Sequence, residues 1–228
     1  MTIPATGFGA LRVGTAVAKG ASFGQRGVLI AVPYHYVITP SAIDDNGICL
    51  SQTASGASNL TIAGAKASGG VATLDVPRVV VITSAADDTG VTFTIEGTSD
   101  GTQLQAESIL GGDSVASATG KAFKTVTRIG TSGSTTGAVI VGDGDTFGFP
   151  VRVDRRGQVD IYWNNTLITA STGFTAADTG TTLGANDVRG TYAVQSTAAD
   201  SIKVLEMRIW MTDLETSDGA FGVDPYHS

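Results

Sequence analysis

Catalysis needs groups that transfer protons, attack an electrophile or hold a metal, and this chain of 228 residues offers few. It has only two histidines. His35 stands inside the apolar run Val28 to Thr39, where a hydrogen-bonded structural imidazole is expected, and His227 reads as part of a solvated tail. The lone cysteine, Cys49, has no partner for an internal disulfide and no zinc-ligand spacing around it, so it reads as a small buried hydrophobe on a strand. A serine-hydrolase nucleophile elbow is not expected. The pair Asp143 and Asp145, within Gly142-Asp143-Gly144-Asp145, could close around a hard cation such as calcium. The remainder of an EF-hand loop is missing, and a structural β-turn is the expected reading, as it is for Asp87-Asp88 before Thr89-Gly90. Gly130 to Gly137 lacks the Gly-Lys-Ser/Thr ending of a phosphate-binding loop. No catalytic residue, metal or cofactor is therefore expected.

One group suggests binding. Arg152, Arg155, Arg156, Tyr162 and Trp163 have the composition of a sugar or nucleic-acid platform, and equally that of the centre of a protein interface. Asp154 and Asp160 dilute the positive charge, so a protein partner is the expectation. The net charge of −7 supplies no broad basic field, and binding nucleic acid by neutralising phosphates is not expected. Only 15% of residues are charged and 30 are Gly, which leaves a surface built from Ser, Thr, Asn, Gln and Gly and suited to burial in an assembly. Nowhere do about 18 apolar residues run together, and Met1 to Arg26 lacks a basic start followed by an apolar stretch, so neither a membrane span nor a signal peptide is expected.

The elements that must position these residues are strands. Short runs rich in Val, Ile, Thr, Phe and Tyr alternate with Gly, Asp, Asn and Ser clusters, and helical periodicity is almost absent. Residues 1–26 are Gly- and Ala-rich and read as an extended N-terminal arm; 27–212 read as a β-sandwich, jelly-roll-like; 213–228 read as a tail. Within the sandwich, Pro33 points to an edge, a bulge or two short strands. Asp44 to Gly47 reads as a turn, and Val71 to Ser84 as two strand pieces interrupted at Pro77. Val91, Phe93 and Ile95 alternate with Thr92, Thr94 and Glu96, placing the first three in a core, and Asp100-Gly101 marks a hairpin to Gln103–Leu110. Further strands are expected in Lys121–Ile129, Ala138–Val141, Thr146–Val153 and Gln158–Trp163, the last turning at Asn164-Asn165. Residues 171–187 read as a polar loop, and Thr191–Gln195 and Ile202–Met211 as closing strands.

The order and spacing of several segments resemble a module of virion structural proteins from tailed double-stranded DNA bacteriophages. These are Gly70-Val71-Ala72-Thr73-Leu74-Asp75-Val76-Pro77-Arg78, Val80 to Ser84, Val91 to Thr98, Lys121 to Val126 and Ala138 to Gly142. The resemblance covers about 43–153. It implies a capsid cement or decoration protein, made in the host cytoplasm and carried on the capsid surface of the virion. Its partners would be the major capsid protein and itself, as a dimer or trimer. A tail, neck or fibre component that binds a receptor glycan is the alternative, although a fibre would more often show internal repeats, and none is seen.

Overall fold

A computed structural model describes residues 32–100, 103–178 and 186–211, with Val32 and Met211 described by backbone alone. The 1–26 arm, the 213–228 tail and the tip of the Asp100-Gly101 hairpin beyond Asp100 lie outside the described residues. The strands are β1 (Val32–Ile38), β2 (Cys49–Gln52), β3 (Ser58–Asn59), β4 (Ala67–Ser68), β5 (Val71–Ser84), β6 (Thr92–Thr98) and β7 (Leu104–Leu110). They continue as β8 (Ala116–Thr131), β9 (Val139–Gly148), β10 (Val159–Trp163), β11 (Thr166–Ile168), β12 (Phe174–Thr175), β13 (Thr191–Ala193) and β14 (Leu205–Met211). Among the described residues the only helical element is a 3-10 turn at Arg156–Gln158. The protein is thus all-β, and every strand pair is antiparallel.

A ten-stranded sheet runs β12-β13-β9-β5-β8-β6-β7, with β2 on β9, β3 on β8 and β4 on β5. It curls into a half-barrel around one core, in which Val80, Ile82, Phe93, Ile95, Phe123, Val126, Ile129 and Val141 are fully buried. Val91, Phe93 and Ile95 face this core and Thr92, Thr94 and Glu96 alternate away from it, as the period of two predicts. Side chains help close the curl. Glu107 of β7 accepts the Gly120 and Lys121 N–H groups of β8 at 2.9 and 2.8 Å, and Gln105 donates to the Ala122 carbonyl at 2.6 Å.

The second sheet, β1-β14-β10-β11, packs sandwich-like across the β9–β13 end of the first. Its inner face contributes Val159, Ile161, Trp163, Leu205, Met207 and Ile209 to a second core with Phe147, Phe149 and Tyr192. Leu205, Met207 and Ile209 alternate strictly, so β14 has a cleaner strand signature than Val204, Met207, Ile209 and Met211 suggest. Asn164 and Asn165 both adopt positive φ, 47° and 62°, the two left-handed residues that a tight hairpin turn between β10 and β11 requires.

Three expected elements differ. Val71 to Ser84 is one strand, not two, because the chain absorbs Pro77 in register shifts: pairing with β8 jumps from Thr73 to Arg78. Ala138–Val141 and Thr146–Val153 merge into β9, which ends at Gly148. The polar stretch from residue 171 includes β12, paired to β13, while 179–185 lie outside the described residues. Pro33 sits within a single strand on a sheet edge, where a missing N–H is tolerated.

Candidate functional site

Between the two cores lies a buried ionic cluster. Arg78, on β5 and fully buried, donates to Asp143 Oδ2 at 2.9 Å, to the Ser41 carbonyl at 2.6 Å and to Asp75 Oδ2 at 3.0 Å, with its guanidinium 4.9 Å from the Phe147 ring centroid. Lys66 Nζ reaches Asp143 Oδ1 at 2.5 Å. Asp145 accepts the Ala199 N–H at 3.0 Å, and Asp75 accepts the Ser41 N–H at 2.6 Å. Burial alone would raise Asp75, but the Ser41 N–H and Arg78 outweigh it and hold the carboxyl below the usual range. Burial wins at Asp145 and raises it, against the Ala199 N–H and Arg78.

Asp143 and Asp145 therefore lie in a central strand and not in the expected β-turn. Their carboxylates serve Arg78, Lys66 and the Ala199 backbone. Among the described residues no group of three or more His, Cys, Asp or Glu side chains is placed to hold a metal ion. Asp87-Asp88 does form the turn expected of it, with Val91 N–H donating to the Asp88 carbonyl at 2.8 Å. Two Gly-x-Ser-x-Gly spacings do occur, at 20–24 and 97–101, contrary to the expectation of none. The first lies outside the described residues. In the second, Ser99 is buried beside a β-hairpin, whereas a nucleophile elbow presents its serine between a strand and a helix.

The five residues expected at an interface divide between surfaces. Tyr162 and Trp163 are neighbours on β10 and so point to opposite faces. Trp163 is in the second core, its ring centroid 6.3 Å from that of Phe147 and its Nε1 donating to the Thr197 carbonyl at 3.1 Å. Arg156 staples the β10–β11 hairpin by donating to the carbonyls of Val159, Ile168 and Ala170. Arg152 pairs with Asp154 at 2.6 Å, and Arg155 opens the 3-10 turn, its N–H donating to Gln158 Oε1 at 3.0 Å.

Tyr162 alone of the five joins the outer face of the smaller sheet. There Arg208 lies 5.0 Å from its ring centroid and pairs with Glu206 at 2.7 Å, and Glu206 accepts from His35 Nε2 at 3.0 Å. Hydrogen bonding from Arg208, with His35, holds the Glu206 carboxyl below the usual range. Val37 and Leu167 flank this row and are 52% and 46% exposed. Such an aromatic and charged row flanked by exposed apolar side chains can engage a protein or a sugar ring. The sequence signal for it was the polar set alternating with Leu205, Met207 and Ile209. No protein-family model, curated protein or solved structure matches this chain.

Proposed function

We propose that this protein is a capsid cement or decoration protein that binds the outside of a phage head and bridges neighbouring capsid subunits. The carrying observation is that β1 and β14 pair with Val32 opposite Met211, so the two ends of the described body lie side by side at one corner of one sheet. The preceding segment bears Arg12, Lys19 and Arg26 and no acid, whereas the following one bears Asp213, Glu215, Asp218 and Asp224 and no Lys or Arg. Two oppositely charged segments suit contacts with two different neighbours, and a lattice of modest contacts gains strength by avidity. The phage-like segments within 43–153 and the low charge content support the same reading.

The test compares full-length protein with a variant lacking Thr2 to Arg26, on particles that lack the protein. The full chain should attach and raise the heat resistance of the particles, and the shortened chain should keep its β fold but attach more weakly. Unchanged heat resistance with the full chain would remove the cement role. The stacked Tyr162 and Arg208 favour a second reading, a tail, neck or fibre component binding a receptor glycan, for which binding to host cell-surface glycan would be the evidence.

A further inference from the structure

We infer that β1 is a self-pairing edge, joining two copies of the chain about a two-fold axis at His35. Sheet edges expose unpaired N–H and C=O groups, and proteins blunt them with short strands, charges or covering elements. Of the four strands that end the two sheet paths, three are managed, and the off-path strands β2, β3 and β4 have only 4, 2 and 2 residues. β11 has 3 residues, β12 has 2, and β7 is bridged to β8 by Gln105 and Glu107. The fourth, β1, has 7 residues and no Lys, Arg, Asp or Glu, and among the described residues no strand pairs with its second edge.

What identifies the occupant as a second copy is the order of side chains. A two-fold interface must be self-complementary. Val32-Pro33-Tyr34-His35-Tyr36-Val37-Ile38 is nearly palindromic about His35. Antiparallel pairing centred there sets Tyr34 opposite Tyr36, Pro33 opposite Val37 and Val32 opposite Ile38, each pair alike in apolar character. The register with β14 places Tyr34 and Tyr36 on the Ile209 and Met207 side, and His35 and Val37 on the Arg208 and Glu206 side. Directly opposed residues share a face, so the two smaller sheets would join as one eight-stranded sheet with aromatic pairs on its core side. Pro33 removes one donor per copy and weakens the ladder without blocking it.

The inference develops the homo-oligomer part of the proposed function, and its test uses purified full-length chains without particles. In either hydrogen-bonding phase, opposed residues sit with Cα atoms roughly 4.5–5.5 Å apart, within disulfide reach. Two copies of residue 37 would be four positions out of register, about 13 Å apart, and beyond that reach. Under mild oxidation His35→Cys should cross-link to dimers at least roughly tenfold faster than Val37→Cys. A mixture of Pro33→Cys and Val37→Cys chains, with His35 intact, should cross-link where Val37→Cys alone does not. Cys49 is buried, and the unmodified chain serves as the blank. Cross-linking of Val37→Cys as fast as His35→Cys, or sedimentation of the unmodified chain as a monomer at tens of micromolar, would overturn the inference. A monomer that still attaches to particles removes the edge pairing and leaves the cement reading standing; a dimer that fails to attach does the reverse.

Discussion

Replacing Arg78 by Met retains a flexible stem in the space between the two cores and removes the charge. Arg78 and Asp143 both have side chains with no exposure, and the variant leaves Asp143 buried with Lys66 as its remaining cationic contact at 2.5 Å. Removing one member of a buried pair costs about 3–5 kcal/mol. The Lys66 contact keeps part of the compensation, and Asp75, with 28% of its side chain exposed, can rehydrate, so the loss should be near the lower end, about 3 kcal/mol. Asp143→Val, with a branched side chain suited to a strand, should alone cost a similar amount by leaving the guanidinium with Asp75 and the more distant Asp145. The double variant has neither buried charge, and Lys66 can turn to solvent. It should therefore lose less than the two single losses added together, with a coupling of about 2–3 kcal/mol. Urea unfolding followed by tryptophan fluorescence gives all four corners of this cycle. Losses that simply add in the double variant would refute the reading of Arg78 and Asp143 as one ionic unit.

Phe93→Ala should cost about 3–5 kcal/mol in urea unfolding, since the ring is fully buried in the half-barrel core; a loss below about 1 kcal/mol would show that the register of β6 is misread. Gly142→Ala should lower the unfolding midpoint, by a loss of about 1–3 kcal/mol, because a Cβ there would lie 2.0 Å from the Asp44 carbonyl oxygen and force the 44–47 turn off β9. Burial raises the Asp187 carboxyl, against the Ala122 and Arg189 N–H groups it accepts and the nearby Arg189 and Lys121 charges. Its contribution to stability is fully present below the unfolded value near about pH 4 and is lost as pH rises through the raised one, so the advantage of wild type over Asp187→Asn should shrink with rising pH. Burial pushes the Cys49 thiol up to about 12, and a thiol reagent near neutral pH should label it only as fast as the chain unfolds.

Local pattern was legible in the sequence and long-range pairing was not. The alternation at Val91, Phe93 and Ile95 exposes a two-residue period directly, and Asn164-Asn165 advertises a turn because Asn tolerates positive φ. Arg78 within an apolar strand gave no hint of its partner, since Asp143 is 65 positions away. The Gly-Asp-Gly-Asp composition at 142–145 suggested a turn, yet here the glycine gives β9 room to pass the Asp44 carbonyl and the carboxylates meet buried cations. Tyr162 and Trp163 looked like one platform because adjacency in sequence was read as adjacency on a surface. Strand alternation separates them.

The distribution of charge bears on the proposed role more directly than its total. Only 15% of residues are charged, and Arg78, Asp88, Glu107, Lys121, Asp143, Asp187 and Arg189 are among those buried. Several secure backbone amides where the curled sheet would otherwise leave them unpaired: Glu107 takes those of Gly120 and Lys121, and Asp187 takes those of Ala122 and Arg189. A charge placed inside for this purpose no longer adds to solvation or repulsion at the surface. The exterior includes Val37, Leu50, Leu104, Leu110, Val115, Leu167 and Ile202 as exposed apolar side chains. These lie on separate parts of the fold, which suits several small contacts to neighbours better than one large interface. Replacing Leu104 and Leu110 of β7 with Ser should accordingly leave the unfolding midpoint within about 0.5 kcal/mol of wild type, as for exposed sites generally, while weakening attachment to particles. Attachment unchanged by this pair would exclude the outer face of β7 from the capsid contacts.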